Sequence, residues 1–405
     1  MRLPRTLLAA VGALALAASP AMAQKKYDTG ASDTEIRIGH TNPYSGPASA
    51  YGQIGKTIEA FFKMVNSKGG VNGRKITFIS YDDGYAPPKT VEMVRKLVEE
   101  DKVLFVFQTL GTPPNTAIHK YLNAKKVPQL FVATGASVWG KPKEFPWTMG
   151  WQPDYATEGA IYAKHLLANV KDPKIAVLMQ NDDYGRDYFN GFKQGLGKNA
   201  NKIVQVATYE VADPTVDSQI IALKNSGANV FFNITTPKFA AQAIKKAHEI
   251  GWKPAHYLNN VSVSVGSVMK PAGFEASQGI ITAAYVKDAT DPQFQKDADM
   301  IAWSAFMDKY YPQGDKTSSF TVYGYAVSST LLEVLKRTGD NLTRENVMKQ
   351  AASLKSLEVP LLIPGIKINT SPTDFYPIQS VRLQRFEGKT WRLFGDVLSN
   401  EAATH

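Results

Sequence analysis

Residues Ala50 to Thr57 read AYGQIGKT and end in Gly55-Lys56-Thr57, the outline of a loop that cradles nucleotide phosphates. Such a loop runs directly from a strand into a helix and turns its backbone N–H groups on the phosphate oxygens. Here Pro43, Gly46 and Pro47 lengthen the connection from a strand ending near His40, and Ala50 stands where the first glycine belongs. Nucleotide binding is not expected. Ser267-Val268-Met269-Lys270 has the serine and lysine spacing of penicillin-recognising enzymes, but neither the SDN nor the KTG element accompanies it. Ser267 is still the best nucleophile for an alternative reading as a secreted serine hydrolase. The six histidines, His40, His119, His165, His248, His256 and His405, show no HExxH-type spacing, so no metal site is expected. The adjacent carboxylates Asp82-Asp83 and Asp182-Asp183 read as helix caps or solvated groups. No catalytic constellation and no cofactor site emerges, and the chain is not read as an enzyme.

What remains are small and hydroxyl-bearing residues at two strand ends, QTLGT from Gln108 to Thr112 and VATGAS from Val132 to Ser137. Open α/β sheets bind ligands at the carboxyl ends of their strands, and free N–H groups of a following helix can receive a carboxylate there. Glycine and threonine at such a turn are equally the residues of ordinary turn chemistry.

These strand ends need a scaffold, and the chain supplies one by alternating short β-rich runs with amphipathic helices, the signature of parallel α/β architecture. Strands are predicted at Ile36 to His40, Ile76 to Tyr81, Val103 to Phe107, Gln129 to Ala133, Ile175 to Gln180, Ile203 to Tyr209, Val230 to Ile234 and Ile280 to Tyr285. Between them apolar residues recur at helical spacing, as in Ile54, Ile58, Phe61, Phe62 and Val65. The alternation pauses at Trp147 to Asp154, where Pro146, Gly150 and Pro153 cluster, which marks a lobe boundary. Beyond Tyr285 three helices are predicted, near Asp291 to Tyr311, Phe320 to Arg337 and Thr343 to Leu354. Strands follow near Pro364 to Ile368, Gln379 to Phe386 and Trp391 to Asp396.

Arg2 and Arg5 precede an apolar run from Leu7 to Ala18 that ends in Ala21-Met22-Ala23, the pattern of a secretory signal peptide spanning 1–23 and cleaved before Gln24. The run is shorter than the roughly 20 apolar residues a membrane span needs. No cysteine occurs, which excludes disulfides, thiolate metal sites and a lipid-accepting thiol. The formal charge is +10 with the basic residues scattered, so nucleic acid is not an expected partner.

The opening IRIGHTNPYSGPASAYGQIGKTIEAFFKMVNSKGGVNGRKITFISYDDGYAPPKT, with QNDDYG, DPTVDSQIIALKNSGANVFF and TPKFAAQAIKKAHEIGWKP further on, resembles the periplasmic leucine/isoleucine/valine-binding proteins. That resemblance covers nearly all of the chain after the leader. It implies a type I periplasmic binding protein: α/β, two Rossmann-like lobes joined by a three-crossover hinge, with residues 33–152 and 287–358 in one lobe and 153–286 and 359–398 in the other. It implies a small-molecule ligand held in the cleft by lobe closure, an ABC permease partner in the inner membrane, a periplasmic location and a monomer. The crossovers fall near Trp151 to Asp154, Tyr285 to Ala289 and Leu357 to Leu361.

Carried over residue by residue, the resemblance places a ligand carboxylate at Gly111 and Thr112 and at Ala133, Thr134 and Gly135. Tyr51, Tyr155 and Tyr184 become the aromatic walls. The family's amino-acid binders pair the ligand ammonium with a glutamate after the strand that here reads HYLNNVSVSVG, where Asn260 or Val261 stands and no acid is near in sequence. Burying an ammonium without its counter-charge costs several kcal/mol. The expected ligand is therefore a small carboxylate or amide, aromatic in the leading version, with branched-chain amino acids as the alternative. A sensory ligand-binding subunit is a third reading. The family's first-lobe disulfide is absent, its positions falling near Tyr85 and Gly111.

Overall fold

The computed structural model describes residues 25–399, so the expected leader and its cleavage point, and His405, lie outside the described residues. The chain opens with β1 (Lys26–Tyr27), β2 (Glu35–Asn42), α1 (Gly52–Ser67), β3 (Lys75–Asp82), α2 (Pro87–Glu99), β4 (Phe105–Phe107), α3 (Thr112–Ala124), β5 (Gln129–Val132) and β6 (Thr148–Gly150). Five of these strands form a parallel sheet in the order β3-β2-β4-β5-β6. Helices cover both faces of such sheets, so its central strands carry apolar runs without alternation, and β4 and β5 are buried at every position. The stripe Ile54, Ile58, Phe61, Phe62 and Val65 is the buried face of α1.

The second series runs α4 (Tyr155–Asn169), β7 (Ile175–Gln180), α5 (Asp183–Leu196), β8 (Ile203–Tyr209), α6 (Asp217–Asn225), β9 (Val230–Ile234), α7 (Pro237–Glu249), β10 (Ala255–Leu258), α8 (Lys270–Ala272) and β11 (Ile281–Ala284). Then come α9 (Ala298–Tyr310), α10 (Ser319–Thr338), β12 (Asn341–Leu342), α11 (Arg344–Ala351), β13 (Ser380–Glu387) and β14 (Thr390–Ser399). The second sheet has the order β14-β13-β11-β10-β9-β7-β8, with β13 and β14 antiparallel. Meanwhile α9 and α10 return to pack on α1, and β12 pairs with β1. The result is two α/β lobes, each built on its own sheet.

Several expectations are corrected. No strand forms at Pro364 to Ile368: Gly365 takes a positive φ, and Ile368 makes only an isolated bridge to Leu357. The buried side chains from Val359 to Ile378 join the core cluster around α1 and α10, whereas this segment was expected in the lobe of β7 to β11. The predicted helix from Asp291 is a 3-10 turn at Pro292–Phe294 followed by α9. Strand β10 opens the stretch HYLNNVSVSVG expected as a strand, whereas β6, three residues long inside the Pro and Gly cluster read as a boundary, was not foreseen.

Candidate functional site

A cavity of about 820 Å³ of empty space, its mouth included, lies between the lobes. Eight of the ten residues singled out from the sequence line it: Tyr51, Gly111, Thr112, Ala133, Tyr155, Tyr184, Asn260 and Val261. Thr134 and Gly135 do not, and stand one layer behind. Gly135 seats Tyr155, whose N–H donates to its carbonyl at 2.8 Å. Sequence reasoning missed Tyr85, Gln152, Tyr285, Lys287, Asp288, Phe320 and Tyr323, which also line the cavity. A signal existed for Gln152 and for Tyr285 to Asp288, which lie in two of the expected crossovers, and for Tyr85, which falls at a position of the family's first-lobe disulfide.

The polar end of the cavity is set by a hydroxyl pair. Thr134 Oγ1 accepts from Ala136 N at 3.2 Å and from Trp139 Nε1 at 3.4 Å, which fills both lone pairs of a hydroxyl. Its own proton is then donated to Thr112 Oγ1, 2.6 Å away, and Thr112 keeps its proton for the cavity. The start of α3 offers less than an ordinary helix. Its second and third positions are Pro113 and Pro114, which have no N–H, so of the first three helical positions only Thr112 carries an amide proton. The site can receive one acceptor group, a carbonyl or carboxylate oxygen, on the hydroxyl and amide of Thr112.

Aromatic rings form the walls. Three glycines let α4 and α5 touch backbone to backbone, since a Cβ on Gly159 would stand 2.5 Å from Tyr188 O, one on Gly191 2.0 Å from Ala156 O and one on Gly195 2.7 Å from Ala160 O. That contact brings Tyr155 within 4.3 Å of Tyr188 in a stacked pair and within 5.5 Å of Tyr184 edge-on. From the other lobe, Tyr51 meets Phe320 at 5.1 Å. The Tyr323 hydroxyl donates to Gln152 Oε1 at 3.3 Å, and Gln152 Nε2 to Tyr155 Oη at 3.2 Å. The Tyr184 hydroxyl is buried with no hydrogen-bond partner among the described residues, and burial holds its proton well above the usual tyrosine range.

The far wall overturns one expectation. No acid was expected beside Asn260, yet Glu158 of α4 reaches it: Asn260 N donates to Oε1 at 2.9 Å and Asn260 Nδ2 to Oε2 at 2.5 Å. The hydroxyls of Tyr162 and Tyr188 donate to the same carboxylate at 2.6 and 2.9 Å. Sequence distance hid this acid, because four strands, β7 to β10, separate α4 from Asn260. Glu158 is wholly buried, and burial pushes it up to about 7 against the pull of its hydrogen bonds. Two more charges line the cavity. Lys287 is spoken for by Asp297 and Asp299, at 2.7 and 2.8 Å; Asp288, bonded to Thr290, is pushed up to about 6 by burial.

Apart from Tyr51 and Ile54, the residues of the rejected motifs lie outside the cavity lining. Ser267 Oγ accepts from Gln53 Nε2 at 3.3 Å. Gly52 to Thr57 are the first turns of α1 and not a loop. Asp82 and Asp83 accept from loop and helix donors such as Ser45 N and Thr90 Oγ1, while Asp182 caps α5. Among the described residues no group of three or more His, Cys, Asp or Glu could hold a metal ion, and no helix is long and apolar enough to cross a membrane.

Residues 35–390 match the family model described as periplasmic binding protein. The chain belongs to this family. It is 26% identical over 339 residues to a Leu/Ile/Val-binding protein homolog 1 of Brucella abortus (strain 2308), covering 81% of this chain and 86% of the relative. A branched-chain amino acid ABC transporter structure from Thermus thermophilus with bound valine superposes with a TM-score of 0.83 at 14% identity, over 92% of this chain and 98% of that one. A fatty acid ABC transporter substrate-binding protein from Thermomonospora curvata does so with a TM-score of 0.79 at 20% identity, over 94% and 96%. In this periplasmic binding protein the lobes are drawn together around the cavity. Besides the Gln53 contact, Gly266 N donates to Thr317 O at 3.1 Å, and Ser137 N to Asp187 Oδ2 at 2.7 Å.

Proposed function

We propose that this periplasmic binding protein captures a small carboxylate or amide, with an aromatic body in the leading version, and delivers it to an ABC permease of the branched-chain amino acid type. It acts as an exported monomer cleaved before Gln24 and works by lobe closure. The observation that carries this reading is the Thr112 donor, oriented by Thr134, at one end of a cavity walled by Tyr51, Tyr85, Tyr155 and Tyr184. Both lobes contribute walls, so a bound solute gains its full set of contacts only when they shut, and binding shifts the population toward the closed form. Burying one ring contributes roughly 4 to 6 kcal/mol at about 25 cal/mol per Å² before the costs of association.

Branched-chain amino acids are the second reading, favoured by the buried Glu158 behind Asn260 and by what the Brucella relative's name states. Calorimetry of the mature chain with benzoate-type acids, short-chain amides and leucine separates the two. Tight binding of leucine alone overturns the first.

A further inference from the structure

We infer that Glu158 is a positioning residue for specificity: it fixes the Asn260 side-chain amide so that its oxygen serves the cavity, and so selects solutes with a hydrogen-bond donor at the second-lobe end. This rests on the solute-capture reading above and deepens it. A carboxylate only accepts, so an amide bound to it must present its NH₂. Glu158 holds Asn260 twice, through the backbone N–H and through Nδ2, and the amide has no freedom to turn over. Two tyrosine hydroxyls lock the carboxylate from the other side. The remaining polar atom, Asn260 Oδ1, takes no hydrogen bond from the described residues, and Asn260 lines the cavity.

The two ends of the site are therefore of opposite kind. Thr112 gives protons and Asn260 receives one. A solute that brings an acceptor to both ends leaves Asn260 Oδ1 facing a lone pair, which a buried site strongly rejects. Glu158 itself never touches the solute.

The test is calorimetry at pH 8, which keeps Glu158 ionised, on the mature chain with three acids that share one ring: 4-aminobenzoate, benzoate and 4-acetylbenzoate. Leucine against 4-methylpentanoate forms a second pair. Wild type should favour the donor-bearing member of a pair by at least about tenfold. In Glu158→Gln the new NH₂ opposes that of Asn260, so the Asn260 amide turns over and the preference reverses toward 4-acetylbenzoate; a merely structural role for Glu158 would weaken all solutes alike. Asn260→Leu, which removes the acceptor, should erase the preference between the donor-bearing and acceptor-bearing members of the series. Solutes that bind wild type without regard to a donor, or a preference that survives Glu158→Gln, overturn the inference alone. If no member of the series binds, nor any compound in a thermal-shift screen of small carboxylates, amides and amino acids, the solute-capture reading falls and takes this one with it.

Discussion

Thr134 Oγ1 lies 2.6 Å from Thr112 Oγ1 and is the donor of the pair, because its lone pairs are already taken by Ala136 N and Trp139 Nε1. The residue that gives the site its polarity thus sits behind the one that meets the solute. Thr112→Val should weaken a bound carboxylate by about tenfold, the worth of one hydrogen bond in a dry site. Thr134→Val should weaken it by only about threefold but cost about 1 to 3 kcal/mol of stability, since it strands two buried donors. Calorimetry and denaturant titration of both variants check this. Unchanged affinity in Thr112→Val contradicts the assigned role.

Gly111, just before α3, has φ +94°, and a Cβ there would stand 2.4 Å from the Tyr85 ring. Gly111→Ala therefore meets strain in the backbone and a clash with a ring that lines the cavity. Stability should drop by about 1 to 3 kcal/mol, and solute affinity should fall by more than tenfold as Tyr85 is driven into the space a solute needs. A variant with wild-type melting and affinity would contradict this placement of Tyr85.

The second lobe's strands Ile175 to Gln180 and Val230 to Ile234 were legible to the residue, because a parallel strand covered on both faces is a short apolar run between turn residues; the largely exposed edge strand Ile203 to Tyr209 was legible from its β-branched residues instead. Thr112 was legible as a cavity residue because a strand end and a helix start put it there, and Tyr184 through the family resemblance. What could not be read were relations across the fold. Thr134 and Thr112 look alike in sequence, and only the partners of Thr134 show which of them faces the solute. Glu158 lies on α4 among residues of ordinary helical spacing, and its bond to Asn260 exists only after β7, β9 and β10 have been laid side by side. Tyr323 and Phe320 come from α10, which returns to the first lobe after strands β7 to β11 of the second have been laid down.

Closure can be probed without touching the cavity. A Cβ on Gly266 would come within 2.0 Å of Asp315 Oδ2 and 2.6 Å of Thr317 Oγ1, where the helical turn Val265–Met269 after β10 meets the loop before α10 and Gly266 N bonds Thr317 O. Gly266→Ala should hold the lobes apart. Solute-induced contraction in small-angle scattering should shrink or vanish, and affinity should fall by about tenfold or more, while the melting temperature without solute changes little. Full contraction in the variant would show that this contact does not gauge closure.

Glu158 also ties stability to pH. Burial raises it to about 7 in the folded chain, with the nearby Asp154 pushing the same way and the hydroxyls of Tyr162 and Tyr188 and the Asn260 N–H pulling back. A carboxyl whose folded value exceeds its unfolded one binds more protons folded than unfolded, so its contribution favours the folded state at low pH and declines as pH rises from the ordinary glutamate range through about 7. Asp187 and Asp288, both pushed up to about 6 by burial, act in the same direction, so the wild-type curve alone does not isolate Glu158. The difference between wild type and Glu158→Gln does, because Gln carries no titrating proton. That difference should drift by about 3 kcal/mol between pH 4.5 and 8, in the sense that the variant loses less stability than wild type as pH rises. Denaturant titrations at half-unit steps of pH read it directly, and parallel curves for the two proteins would mean that Glu158 titrates in the folded chain as it does in the unfolded one.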